Sequence, residues 1–258
     1  MQKKIPDPSL ILTLDLDAEL RPLLARAYRG RDPVGYHLER RASIKDILEA
    51  IGLPHTEIGA ILGRECQYSF AHIPEPGQRL RIRAVQPGLD VTRPTLLRPE
   101  PLPAFRFLVD INVGKLARLL RMAGLDTNYE PGLSDGELAA LAGTGPYILL
   151  SRNRELLKRK EVVHGRLIRA GQPEEQLFEV IDLYDLSDAL KPFCRCLACN
   201  TLLLPVQKKT ILDRLEPLTR KYYHRFKICP GCGRIYWQGS HHAHMMRLVR
   251  RIQSRCRG

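Results

Sequence analysis

The chain has 258 residues, 44% of them hydrophobic and 27% charged, an ordinary globular composition with room for two or three cores. Its formal charge of +13 is unevenly spread. Residues 1–100 carry 15 Lys+Arg against 13 Asp+Glu, residues 101–190 carry 11 against 13, and residues 191–258 carry 15 against 2. No apolar run approaches the roughly 20 residues of a bilayer span, and the opening Met1-Gln2-Lys3-Lys4 leads into no signal-peptide core; the expected location is therefore cytoplasmic, with no membrane partner.

The N-terminal stretch alternates, with Leu10, Leu12, Leu14 and Leu16 on one face of a strand. A second strand fits Val34 to Glu39. Ser43 is placed to cap a helix, with Asp46 as a loose capping-box partner and Ile44, Ile47, Leu48 and Ile51 as the apolar stripe before Gly52. Strands follow at Ile58–Leu62 and around Leu80, Ile82 and Ala84. This order predicts a small α+β domain over 1–88 with no residues that suggest chemistry. Residues 89–104 lie in a Pro-rich stretch and read as an extended linker.

A second domain is predicted over 105–190. Arg106-Phe107-Leu108-Val109 reads as a buried strand running into Asp110. A helix with Leu116, Leu119, Leu120 and Ala123 stops at Gly124. Ser134-Asp135-Gly136-Glu137 opens another helix, Tyr147–Leu150 and Val162–Arg169 read as strands, and Leu177, Val180, Ile181 and Tyr184 stripe a last helix. Strands alternating with helices, with continuous apolar strands, predict a parallel α/β sheet.

The basic segment 191–258 holds six of the seven cysteines. Its charge attracts polyanions through phosphate contacts and counterion release, which makes nucleic acid the leading partner class. Cys196-Leu-Ala-Cys199 and Cys229-Pro-Gly-Cys232 are two C-x-x-C knuckles, the pattern that presents four thiolates to one tetrahedral Zn²⁺. Four sulfurs leave no open position, so this zinc is structural rather than catalytic. The gap between the knuckles leaves room for a hairpin. Cys194 is a spare, Cys66 and Cys256 read as free thiols, and His224, His241, His242 and His244 are substitute ligands or phosphate contacts.

Carboxylates form a second candidate site. Asp110 stands where a strand ends and a helix begins, the edge on which open α/β sheets place their sites. Asp135 and Glu137 open a later helix, and Asn153 follows another strand. Such oxygen ligands suit Mg²⁺ or Mn²⁺, which activate water and stabilise charge on a phosphodiester. The same residues also fit simpler roles: Asp110 as a helix cap, and Ser134 with Glu137 as a capping box.

Phe107-Leu-Val-Asp110, Gly114-Lys-Leu-Ala-Arg-Leu-Leu-Arg121, Gly124-Leu-Asp126, Ile148-Leu-Leu-Ser-Arg-Asn-Arg-Glu-Leu-Leu-Lys158 and Cys229-Pro-Gly-Cys-Gly-Arg-Ile-Tyr-Trp-Gln-Gly-Ser-His241 together resemble the Mut-seven C-terminal RNase family, a PIN-like nuclease group. The resemblance implies an N-terminal β-grasp, ubiquitin-like domain, a central PIN-like α/β domain and a C-terminal zinc ribbon. It implies metal-dependent RNA cleavage with Asp110, Asp135 and Glu137 as acidic residues. The third acidic position, often Asp in the family, is Asn153 here, which weakens metal binding or leaves an RNA-binding adaptor without catalysis. Arg152, Arg154, Arg234, Tyr236, Trp237 and His241 are the candidate RNA contacts, aromatics being suited to stack on unpaired bases. The ubiquitin-like domain implies a protein partner but lacks a Gly-Gly end for conjugation. A nucleotide-binding α/β domain is disfavoured, because no Gly-rich loop follows the first strand of the second domain.

Overall fold

The computed structural model describes residues 11–255, with the side chains at 240, 241, 243, 244 and 253–255 outside the described set. Leu10, Cys256 and the side chains of His241 and His244 therefore fall outside it. The N-terminal stretch supplies strands β1 (Ile11–Leu16) and β2 (Val34–His37), helix α1 (Ile44–Ala50), and strands β3 (Ile58–Leu62) and β4 (Arg79–Ala84). Strand and helix then alternate through β5 (Arg106–Val109), α2 (Gly114–Ala123), β6 (Asp126–Asn128), α3 (Asp135–Thr144), β7 (Ile148–Ser151), α4 (Arg154–Leu157), β8 (Gly165–Leu167) and α5 (Pro173–Tyr184). The basic end holds β9 (Leu204–Val206), α6 (Pro217–Tyr222), β10 (Phe226–Ile228), β11 (Ile235–Trp237) and α7 (Ser240–Arg255). Among the described residues, no helix is long and apolar enough to cross a membrane.

Compactness groups the chain into two units: Met1–Ala104 with Leu133–Leu167, and Phe105–Gly132 with Ile168–Gly258. We propose that the chain divides along its length into domains over 1–88, 105–190 and 191–258, with a linker over 89–104.

In the first unit, β1 lies between β2, antiparallel to it, and β4, parallel to it, and β3 closes the far side of β4. This is a β-grasp sheet. Alternation drives it: Leu12, Leu14 and Leu16 of β1 and Leu80, Ile82 and Ala84 of β4 all point into the core. Burying each such leucine contributes about 2 kcal/mol. Helix α1 buries Ile44, Ile47 and Leu48, and Ser43 caps it, its hydroxyl accepting from the Asp46 amide at 3.2 Å.

The later segment of this unit brings the parallel pair β7–β8 and the helices α3 and α4. It is fastened to the N-terminal segment by buried polar groups. Glu57 is fully buried (0% exposed); its carboxylate accepts from the Leu167 amide at 2.8 Å and pairs with Arg166 at 2.8 Å. The His55 ring sits 2.7 Å from the Val162 carbonyl. Arg98, from the Pro-rich stretch, is also buried and donates to the carbonyls of His55, Thr56, Ile58 and Val163. That guanidinium gives the stretch a defined place, with Val91 and Leu97 buried beside it in sequence.

Removing the Glu57 carboxylate deletes a buried charge-assisted bond to Arg166 and the acceptor of the Leu167 amide. Glu57→Ala is therefore expected to destabilise this unit by about 3 kcal/mol, seen as a lower urea midpoint at unchanged slope. A shift below about 0.5 kcal/mol would show that the pair does not fasten the two segments.

In the second unit, β5 and β6 pair in parallel, joined by α2, whose buried side holds Leu116, Ala117 and Leu120 and which packs on α5. The ribbon is a three-stranded antiparallel sheet in the order β11-β10-β9, over a small core of Ile211, Leu215 and Phe226. Strands β9 and β10 flank the stretch between the knuckles, so the expected hairpin takes the form of two strands with a short helix, α6, in their long connection.

Candidate functional site

The four knuckle cysteines meet. Their sulfur atoms all lie within 4.8 Å of one another, with Cys196 to Cys232 at 3.5 Å and Cys199 to Cys229 at 3.3 Å. Zn–S bonds of about 2.3 Å place tetrahedral sulfurs just under 4 Å apart, so this cluster has the geometry that could hold zinc. Close packing sets the thiols against one another. The Thr201 hydroxyl, 3.3 Å away, leads in holding the Cys199 thiol down at about 6. At Cys232 the Arg234 amide pulls downward, but desolvation and the neighbouring thiols outweigh it and push the group up to about 12. A divalent cation is the partner that lets all four ionise together. Cys194 stands apart, its sulfur facing the Gly124 carbonyl at 3.9 Å, and no histidine joins the cluster among the described residues.

Second contacts brace the knuckles. The Tyr236 hydroxyl lies 3.0 Å from the Cys196 sulfur and accepts from the Leu197 amide, and its burial raises the phenol above its ordinary range. Arg121 of α2 is buried and donates to the carbonyls of Leu197, Ala198 and Thr127. Desolvation lowers its affinity for a proton, and the cysteines of the first knuckle oppose that. Asn200 accepts from the Thr127 amide and donates to Asp126. The ribbon is thus built onto α2 and β6.

Gly124 closes the same junction in the left-handed region, with φ at +92°. A Cβ there would lie 2.2 Å from the Lys191 carbonyl oxygen. Gly124→Ala is therefore expected to cost at least about 2 kcal/mol, measured as a lower Tm; an unchanged Tm would mean that α2 does not end against the 191–195 strand of chain.

The carboxylates divide by what holds them. Asp110 (3% exposed) follows β5 and precedes a single 3-10 turn, Ile111–Val113. Its side chain makes no capping bond to that turn and instead accepts from the Asn112 side-chain amide at 2.6 Å. Capping thus does not account for it. Glu137 is different: it completes a capping box with Ser134, whose hydroxyl holds its carboxyl below the usual range.

Asp135 and Asn153 are brought together, the Asn153 amide donating to the Asp135 carboxylate at 2.7 Å. The carbonyl oxygen of Asn153 caps α4, accepting from the Glu155 and Leu156 amides. An oxygen committed in this way is a poor offer to a cation.

The RNA-contact candidates also separate. Arg152 is exposed, whereas the Arg154 guanidinium is turned onto the Leu23 carbonyl at 2.8 Å. Arg234 is exposed beside the second knuckle. Trp237 is 39% exposed, near Phe226 and Tyr223, and so is half core and half surface. The side chain of His241 lies outside the described residues. Reading the sequence missed Arg121, Asn200 and Phe193; the last sits at φ +58° with its ring 4.2 Å from that of His242.

Comparison with family models gives two matches in the order of the chain. The Mut7-C ubiquitin model matches residues 9–90, and the Mut7-C RNase domain model matches residues 105–249. Comparison with curated proteins and with solved structures returns no match. With the RNase-domain match spanning more than half of its length, the chain belongs to the Mut7-C RNase domain family.

Proposed function

We propose that this chain, whose family gives it a nuclease-like, RNA-related role, is a metal-dependent ribonuclease with Asp110 and Asp135 as catalytic carboxylates and a zinc ribbon that grips RNA. The observation that carries the reading is Asp110 itself. It is a buried carboxylate at the end of a parallel strand, the edge on which open α/β sheets place their sites, and its side chain makes no capping bond to the turn after it. A bound Mg²⁺ or Mn²⁺ would supply an activated water and stabilise charge developing on the phosphodiester. Glu137 acts mainly through its capping box, fixing the helix start that presents Asp135. Cys196, Cys199, Cys229 and Cys232 would hold the structural Zn²⁺. The ubiquitin-like domain recruits a protein partner.

One observation favours a second reading, an RNA-binding adaptor. At position 153, where the family resemblance implies a carboxylate, this chain has an amide that donates to Asp135 directly. The test is cleavage of end-labelled RNA by protein carrying its zinc, with and without added Mn²⁺. Cleavage that needs Mn²⁺ supports the nuclease; RNA binding without cleavage at any Mn²⁺ concentration supports the adaptor.

A further inference from the structure

The ribbon carries a cavity of about 500 Å³ in the size range of small-molecule sites, walled by aromatic, aliphatic and basic side chains. Trp237, Phe226, Phe193 and His242 line it, with Arg225 and His224 exposed beside them. Phe193 is held in the left-handed region, its amide donating to the Met122 carbonyl and its carbonyl accepting from Lys227, so the backbone is fixed where its ring meets His242. Neither Asp213 nor Glu216, the two acidic residues of 191–258, lines the cavity. Flat apolar walls with cations alongside suit an unpaired nucleobase and its phosphate.

Two further hollows are linked to the cavity in series by shared lining residues. Leu197 and Tyr236 also line a second hollow with Arg118 and Arg234, and Arg118 in turn lines a third with Lys115, Glu175 and the Arg251–Glu174 ion pair. Lys115 and Arg118 stand three residues apart on the exposed side of α2, on one face. That helix begins just after the turn that follows Asp110. Arg195, by contrast, is committed to the carbonyls of Gly124 and Asn200 and to Asp126.

We infer that the ribbon cavity seats one unpaired base of single-stranded RNA, while Arg234, Arg118 and Lys115 carry the phosphates of that strand along α2 toward Asp110. The inference rests on the RNA-handling function proposed above and adds the substrate form, single-stranded rather than duplex. Duplex RNA keeps its bases stacked and offers none to a cavity.

Trp237 is the chain's single tryptophan, so its emission reports this cavity alone. The full-length, zinc-loaded protein is titrated without added Mg²⁺ or Mn²⁺ with a short single-stranded oligoribonucleotide and, separately, with its duplex. The single strand is expected to quench Trp237 to saturation. Arg118→Glu and Arg234→Glu should each weaken that binding about tenfold and flatten its salt dependence. The inference is overturned if the single strand leaves Trp237 emission unchanged, whether or not it binds by anisotropy, or if the duplex quenches equally. Failure of the nuclease reading looks different: Trp237 is quenched, yet added Mn²⁺ produces no cleavage.

Discussion

Cys229→Ser is expected to abolish zinc binding and unfold the basic end of the chain. Cys229 is fully buried and its sulfur lies against that of Cys199, so a serine leaves three thiolates around a gap in a closed shell. Structural zinc contributes on the order of 10 kcal/mol of apparent folding free energy, more than the roughly 6 kcal/mol from burying Ile211, Leu215 and Phe226. The loss should spread. Arg121 would lose the ordered carbonyls of Leu197 and Ala198, and Thr127 would lose Asn200, so α2 and β6 should soften with the ribbon. Metal analysis should fall from about one zinc per chain to near none, and amide exchange should speed up at β6 as well as in β9 to β11. Full zinc occupancy in the variant would contradict the four-sulfur site. Exchange confined to the ribbon would contradict the coupling to α2 and β6.

Asn153→Asp is expected to raise affinity for Mn²⁺ by about 10- to 100-fold and to raise Mn²⁺-dependent cleavage with it. Aspartate caps a helix as well as asparagine does, so α4 should keep its start. The change falls on the other side of the residue, where the amide donor that satisfies Asp135 becomes a second carboxylate. Two anions in contact repel unless a cation lies near them, so the variant should be slightly less stable without divalent ion and gain more from its addition. Calorimetric titration with Mn²⁺ checks both. An unchanged affinity would remove position 153 from any metal site.

Local features of the fold were legible in the sequence because local chemistry determines them. The period-two leucines of β1, the Ser43 cap, the Ser134–Glu137 capping box, Gly124 after α2 and the two C-x-x-C knuckles each act over a few residues, and each stands where the pattern put it. Strand limits were less legible. Val162–Arg169 reads as one strand, yet only Gly165–Leu167 pairs, because ladder length depends on the partner strand β7. Illegible altogether were Glu57 with Arg166, Arg98 with the 55–58 carbonyls, and Arg121 with the first knuckle. Each joins residues some 40 to more than 100 positions apart, and a buried charge leaves no periodicity behind. At the candidate acidic site the residue types were readable, but how each is used was not: only the hydrogen bonds show that Glu137 is spent on its cap, that Asp110 is not, and that Asn153 faces Asp135.

We propose that Asp110 and Asp135 are the carboxylates of a metal-dependent ribonuclease. It is tested most directly by single-turnover cleavage of labelled single-stranded RNA in Mn²⁺, comparing wild type with Asp110→Asn and Asp135→Asn, each first shown to hold one zinc and to bind the RNA. Both variants are expected to cleave at least about 100-fold more slowly at undiminished RNA affinity. Wild-type rates from either folded, RNA-bound variant would contradict the assignment.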